Sequence, residues 1–139
     1  MILACVSSLW ACARMAVPKQ TVFVSCQVDS IPYRIPALAE LQDGSVMLLA
    51  DYRHCFTDIG FGRVDIRGKV LSPDGRSWGE EFTLVEGTGV EGAVDCGYGD
   101  PAIVADRESD SILVISCSGN VSFPNGQRDN HQGIAHFYS

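Results

Sequence analysis

Residues 35–50, IPALAELQDGSVMLLA, and residues 100–116, DPAIVADRESDSILVIS, are two versions of one pattern. In each, an alternating apolar run follows a proline, an Asp/Ser-rich turn interrupts it, and a second apolar run returns. That is the signature of two strands joined by a hairpin. Pro36 matches Pro101 and Ser45 matches Ser111, with one extra residue in the second turn. Further along, GKVLS ending at Ser72 matches AHFYS ending at Ser139, so the matched pairs stand 65, 66 and 67 residues apart. Self-similarity at a steady period marks a repeat architecture. The unit is strand, hairpin, strand, loop, strand and turn, which suits a four-stranded propeller blade with long loops. Two copies do not close a ring, since propellers have about 4–8 blades. The expected fold class is therefore all-β, about the first two blades of a β-propeller. The chain is expected to be the N-terminal part of a longer protein.

The remaining residues fit this reading. Candidate strands are Thr21–Cys26, Arg34–Leu41, Ser45–Tyr52, Arg63–Leu71, Pro101–Ala105, Ser111–Cys117 and Gly133–Tyr138, with Gly, Asp and Asn clusters between them. No window has a sustained helical period. With 139 residues and 46% apolar composition, the chain can bury a core. A formal net charge of −7 argues against nucleic acid as a partner, because phosphate backbones select basic surfaces. It leaves room for a small anionic ligand, since a few arginines focused in a cleft outweigh a distant acidic surface. The six cysteines (5, 12, 26, 55, 96 and 117) form no CxxC pair. They read as dispersed buried thiols, with a disulfide left open. His54, His131 and His136 offer no metal-ligand spacing, so no metal and no organic cofactor is expected.

The start, MILACVSSLWACARMAVPK, carries no charge before Arg14. Residues 1–18 read as a shortened export signal without its basic region, or as an ordinary apolar N-terminal strand. Either way the run is too short for a stable membrane span. The first reading makes the protein secreted, periplasmic or cell-surface, and the second leaves it cytoplasmic. Residues 19–139 form the propeller portion.

Arg34 sits between Tyr33 and Ile35 in IPYRIPALAEL, a charge inside an apolar strand. An edge-strand arginine reaching for water is the plain reading of such a residue. Downstream lies SPDGRSW (72–78), a turn in which Asp74 can bond nearby amides, Gly75 gives backbone freedom and Trp78 can pack between sheets. After YRIP comes LLADYRHCFTD (48–58), with Arg53 19 residues and Asp58 24 residues beyond Arg34. VDIRGKVLS (64–72) follows, and then GYGDPAIVADRESDSILVIS (97–116).

This succession resembles the sialidase family. Its marks are a Y/F-R-I-P strand, Asp boxes of form S-x-D-x-G-x-T-W, a strand ending in Asp-x-Arg, a loop ending in an aspartate, and a GDP strand. The box here is one residue short and has Ser77 where the family has threonine. The loop to Asp58 is one residue shorter than in several bacterial relatives. The resemblance runs from about Tyr33 to Ser139.

The resemblance implies a six-bladed propeller and an exo-α-sialidase acting with retention on terminal α-linked sialic acids of glycans. Sialic acid bears a carboxylate on its anomeric carbon, which a permanently charged, planar guanidinium binds bidentately. By motif match Arg34 is the first of three arginines that do this. Arg53 matches an arginine lining the pocket near the sugar's C4, although a salt bridge to Asp51 or Asp58 is its simpler role. Asp58 matches the general acid/base, which protonates the leaving oxygen and then activates water. That task calls for some burial or a neighbouring negative charge. Asp51 and Asp65 are its competitors. Asp100 matches an aspartate that contacts substituents around C4 and C5, with turn formation before Pro101, or replacement by Asp95, as alternatives. Sialidases use a tyrosine nucleophile with a glutamate partner, where most retaining glycosidases use a carboxylate. In the family that tyrosine, its glutamate and two more arginines come from later blades, so this segment alone is expected to be inactive. Tyr138 sits on an ordinary blade strand and Tyr33 is expected to pack. A trans-sialidase, or a glycan-binding propeller without catalysis, would share these features.

Overall fold

The computed structural model describes residues 19–25, 29–119, 121–122 and 132–139. The apolar start (residues 1–18), Cys5, Cys12, Cys26 and His131 lie outside them. Among the described residues there is no helix, and none long and apolar enough to cross a membrane. Seven strands form two antiparallel sheets. The first sheet, in order, is β1 (Tyr33–Glu40), β2 (Val46–Arg53), β3 (Val64–Leu71) and β4 (Phe82–Val85). The second is β5 (Tyr98–Ala105), β6 (Ile112–Gly119) and β7 (Gln132–Tyr138). The strands of each sheet follow chain order, as a blade requires, and the two open sheets are an incomplete propeller.

The sheets stack face to face. Leu49 of β2, Ile66 of β3 and Val114 of β6 make the buried centre, surrounded by Met47, Phe82, Leu84, Tyr98, Ile103 and Phe137. β2 reads VMLLADYR without clean alternation because both its faces are covered. On its far side Tyr52 meets Tyr33, and Phe23 stacks on Tyr33 with ring centroids 4.5 Å apart. Residues 21–25 thus lie over that face without pairing as the expected strand. Their β-branched residues suit a half-buried pleated surface, and here they supply cover. Lys69 Nζ donates to the Val22 carbonyl at 3.2 Å, fixing the segment in place.

The repeat is present in three dimensions, with one amendment. Met47 pairs with Val70 and Leu49 with Gly68, while Leu113 pairs with Tyr138 and Ile115 with His136. The ladder therefore equates Val70 with Tyr138, one residue away from the match through Ser72 and Ser139. A slip of one residue exchanges the two faces of a strand, so the ladder decides which side chains correspond. On that basis Leu49 and Ile66, both 0% exposed, correspond to Ile115 and Ile134, which are 40% and 77% exposed. The second sheet carries the apolar face of the first, uncovered.

Both sheets also begin with the same irregularity. The β1–β2 register shifts between Arg34 and Ala37, and the β5–β6 register shifts between Gly99 and Ala102. In each bulge the residue before the proline is left-handed: Ile35 has φ 48° and Asp100 has φ 53°. Few non-glycine residues adopt this conformation, and for a β-branched one it is a strained state.

Candidate functional site

The expected site residues come from the ends of β1 and β2, the loop after β2, and the start of β5. Arg53, the last residue of β2, is the hub, and its side chain is only 4% exposed. Its Nε and Nη2 donate to Asp51 Oδ2 at 3.0 and 2.8 Å, and Nη1 donates to the Thr57 carbonyl at 2.7 Å. Nη2 also lies 3.0 Å from Asp58 Oδ1 and 3.8 Å from Asp100 Oδ1. One guanidinium thus gathers three carboxylates from two sheets. Of the two plain roles considered for Arg53, the salt bridge to Asp51 and that to Asp58 are both present.

Asp58 sits where the loop turns. Its Oδ1 accepts the Ile59 amide at 2.8 Å, and its carbonyl accepts the Phe61 amide at 3.3 Å. Phe56 in this loop has φ 64°, a further strained position. The geometry separates the three carboxylates considered for proton transfer. Asp51 and Asp65 are fully buried, whereas the Asp58 side chain is 53% exposed. The burial expected around Asp58 is not found, and its negative neighbours are the carboxylates that share Arg53.

Asp51 and Asp65 stand one position apart in pairing, on opposite faces of the sheet, since Asp51 faces Ile66 and Tyr52 faces Asp65. Asp65 belongs to a separate cluster. It accepts Arg63 Nε at 2.9 Å and the Gly87 amide at 3.0 Å, and pairs with His54 Nε2 at 2.8 Å. Burial acts to raise its carboxyl, but these partners outweigh it and hold the group below its ordinary value. Asp51 goes the other way. Burial pushes it up to about 6, against the pull of Arg53 and of the Asp100 amide. That amide donates to Asp51 Oδ1 at 2.9 Å across the sheets. Asp95 bonds Thr88 instead, so Asp100 is the carboxylate that reaches Arg53.

Arg34 is exposed and lies opposite Asp51 in the β1–β2 ladder. Among the described residues its guanidinium has no hydrogen bond or ion pair. It lines a shallow pocket with Phe23, Pro36, Leu48 and Ala50. Register brings it beside the Arg53 cluster, without contact. Tyr33 packs as expected, and its hydroxyl donates to Glu81 Oε1 at 2.8 Å. Tyr138 lies exposed on the open face of β7, remote in pairing from the cluster.

The turn at 72–78 closes through Asp74 and Gly75 as its sequence suggests, while Trp78 is not part of the core between the sheets. Asp74 Oδ1 accepts the Ser72 hydroxyl at 2.6 Å and the Arg76 amide at 3.0 Å, and Gly75 has φ 70°. Trp78 bridges Leu71 and donates to Gln20 Oε1 at 3.0 Å, so it is half-buried against the segment before β1. Sequence reading missed the place of Asp51 at the centre of the cluster. The signal was its spacing: two residues before Arg53 on one strand puts both side chains on the same face. Three carboxylates and one arginine are no metal centre, and no metal-holding group occurs among the described residues.

No family model matches the sequence, and neither does any curated protein. The fold does match solved structures. The NanB sialidase of Streptococcus pneumoniae aligns over 80% of this chain and 20% of its own, at 22% identity and a TM-score of 0.59. The Hadza microbial sialidase Hz136 aligns over 77% and 23%, at 22% identity and a TM-score of 0.63. The leech intramolecular trans-sialidase aligns over 74% and 18%, at 21% identity and a TM-score of 0.57. The chain has the sialidase propeller fold and spans about a fifth of the length of these structures.

Proposed function

We propose that the chain is the first part of an exo-α-sialidase, which releases terminal α-linked sialic acids from glycans with retention. The observation that carries this reading is the convergence of Arg53, Asp58 and Asp100 from separate segments, beside a ladder position held by Arg34. Arg34, exposed and unpaired among the described residues, is the group for the sugar's carboxylate. Arg53 and Asp100 line the C4–C5 side. Asp58, which reaches solvent where Asp51 and Asp65 are buried, is the acid/base. When the sugar binds, Arg53 stays tied to Asp51 and to the Thr57 carbonyl, so its Nη2 edge faces Asp58 and the ligand.

The sugar's own carboxylate explains why a tyrosine would serve as nucleophile: an attacking carboxylate meets like charge. In the sialidase pattern that tyrosine lies beyond this segment. The purified 139-residue chain is therefore expected to give no turnover of a fluorogenic sialoside, and measurable turnover would sink this division of labour. In the complete propeller, Asp58→Ala should cut turnover of 3′-sialyllactose by about 100-fold or more while sparing binding. Equal loss of both would remove Asp58 from the acid/base role. Two of the matching structures are of intramolecular trans-sialidases. Product analysis separates that reading: free sialic acid marks hydrolysis, and an anhydro sugar marks attack by the substrate's own hydroxyl.

A further inference from the structure

We infer that Asp51 is the positioning residue of this site, a carboxylate clamp that aims the Arg53 guanidinium with one oxygen and fixes the Asp100 backbone with the other. Its two ends serve different sheets. Oδ2 takes Nε and Nη2 of Arg53 on β2, and Oδ1 takes the amide of Asp100 on β5. The partners it holds are the two groups assigned above to the C4–C5 side of the sugar, so the functional half of the inference rests on that assignment. The clamp itself is geometric.

Three observations single out Asp51 from an ordinary buried ion pair. First, the bulged strand approaches it closely because residue 99 has no side chain: a Cβ added at Gly99 would lie 3.2 Å from Asp51 Oδ2. Second, the amide it accepts belongs to Asp100 at φ 53°, so the bond reaches the bulge of the second sheet itself. Third, the repeat separates fold from function. The same bulge opens both sheets, but the ladder pair Arg34–Asp51 of the first is Gly99–Cys117 in the second. The bulge therefore needs no charged pair for itself. Burying a carboxylate costs more than burying an apolar residue of similar size, so a charge kept only in the first sheet points to what Arg53 and Asp100 must do.

The groups facing Asp51 are Arg53 from its own strand, Asp58 through the shared guanidinium, Arg34 across β1, and Asp100 and Cys117 from the second sheet. Burial raises the Cys117 thiol, and the Asp100, Asp51 and Asp58 charges add to that. The test follows backbone and guanidinium signals of the isotopically labelled 139-residue chain through a pH titration. The Asp100 amide and the Arg53 Nε–H should shift together with one midpoint, near the value of about 6 to which burial pushes Asp51. Asp100→Asn removes the carboxyl at that position and should leave both signals on one shared midpoint, lowered somewhat because the Asp100 charge helps to raise Asp51. Asp51→Asn should abolish it in both signals while the Ile103 amide stays put. The inference is overturned if the two signals titrate separately in Asp100→Asn, or if they still move together in Asp51→Asn. Should Asp51→Asn fail to fold, the Asp100→Asn arm decides alone. No sialoside is involved, so failure of the clamp and failure of the sialidase reading are told apart.

Discussion

Two fully buried aspartates, one position apart in the β2–β3 ladder, answer burial in opposite ways. Asp65 has three strong partners and is held below its ordinary value, so its stabilisation is present above that value and is lost as pH falls through the folded one. Asp51 is raised from 3.8 to about 6, so the folded state binds its proton more tightly than the unfolded chain does. Its contribution is full below the unfolded value and declines as pH rises toward the folded one. In urea unfolding across this range, Asp51→Asn should remove a decline in stability as pH climbs from about 4 to about 6. Asp65→Asn should instead flatten the loss on the acid side. A steeper decline in the Asp51 variant would show that Arg53, rather than burial, sets that group. None of this contrast is legible in the sequence, where both residues read only as an Asp near an Arg.

The loop from His54 to Arg63 and the two bulges set where the site residues point. Gly60 has φ 93°, and a Cβ there would lie 2.1 Å from the Ser122 amide nitrogen, just after β6. No neighbouring side chain can yield, because the obstacle is backbone. Gly60→Ala should cost at least about 1–3 kcal/mol, read by chemical denaturation, and should broaden or shift the Asp58 amide signal. A neutral substitution would mean that the loop is free to move away from β6. The strands that carry the site were legible, since β1, β2, β3, β5, β6 and β7 each overlap a proline-led or alternating run. β4 was not, because four residues flanked by acidic side chains carry too little pattern. Residues 21–25 of the strand expected at Thr21–Cys26 were misread, because β-branched residues also suit a covering segment, and Cys26 lies outside the described residues. The bulges themselves were hidden: Ile35 is a β-branched residue that rarely adopts a positive φ, Asp100 adopts one more readily but sits before a proline like any turn aspartate, and only the matched prolines hinted at them.

At the scale of the molecule, the second sheet repeats the first but lacks its cover. Ile115 and Ile134 stand exposed where Leu49 and Ile66 are buried against the second sheet, and Tyr138 is exposed beside them. An apolar face of this kind binds hydrophobic dyes and promotes association. Ile134→Lys should lower both dye binding and self-association in light scattering, while changing unfolding stability by no more than about 0.5 kcal/mol. A large loss of stability would mean that Ile134 supports the sheet itself. The repeat period, visible in the sequence, gave this face its place, but the ladder register was needed to say which residues form it.

The bond from the Asp100 amide to Asp51 spans 49 residues of chain. A ribosome adds about 5–20 residues per second, so β1, β2 and β3 emerge some seconds before their counterpart on the second sheet exists. Through that interval Leu49 and Ile66 lack Val114 and the other partners from the second sheet, and Asp51 holds Arg53 without the Asp100 amide. The newborn first sheet thus keeps one face open to water until β5 and β6 arrive to close it.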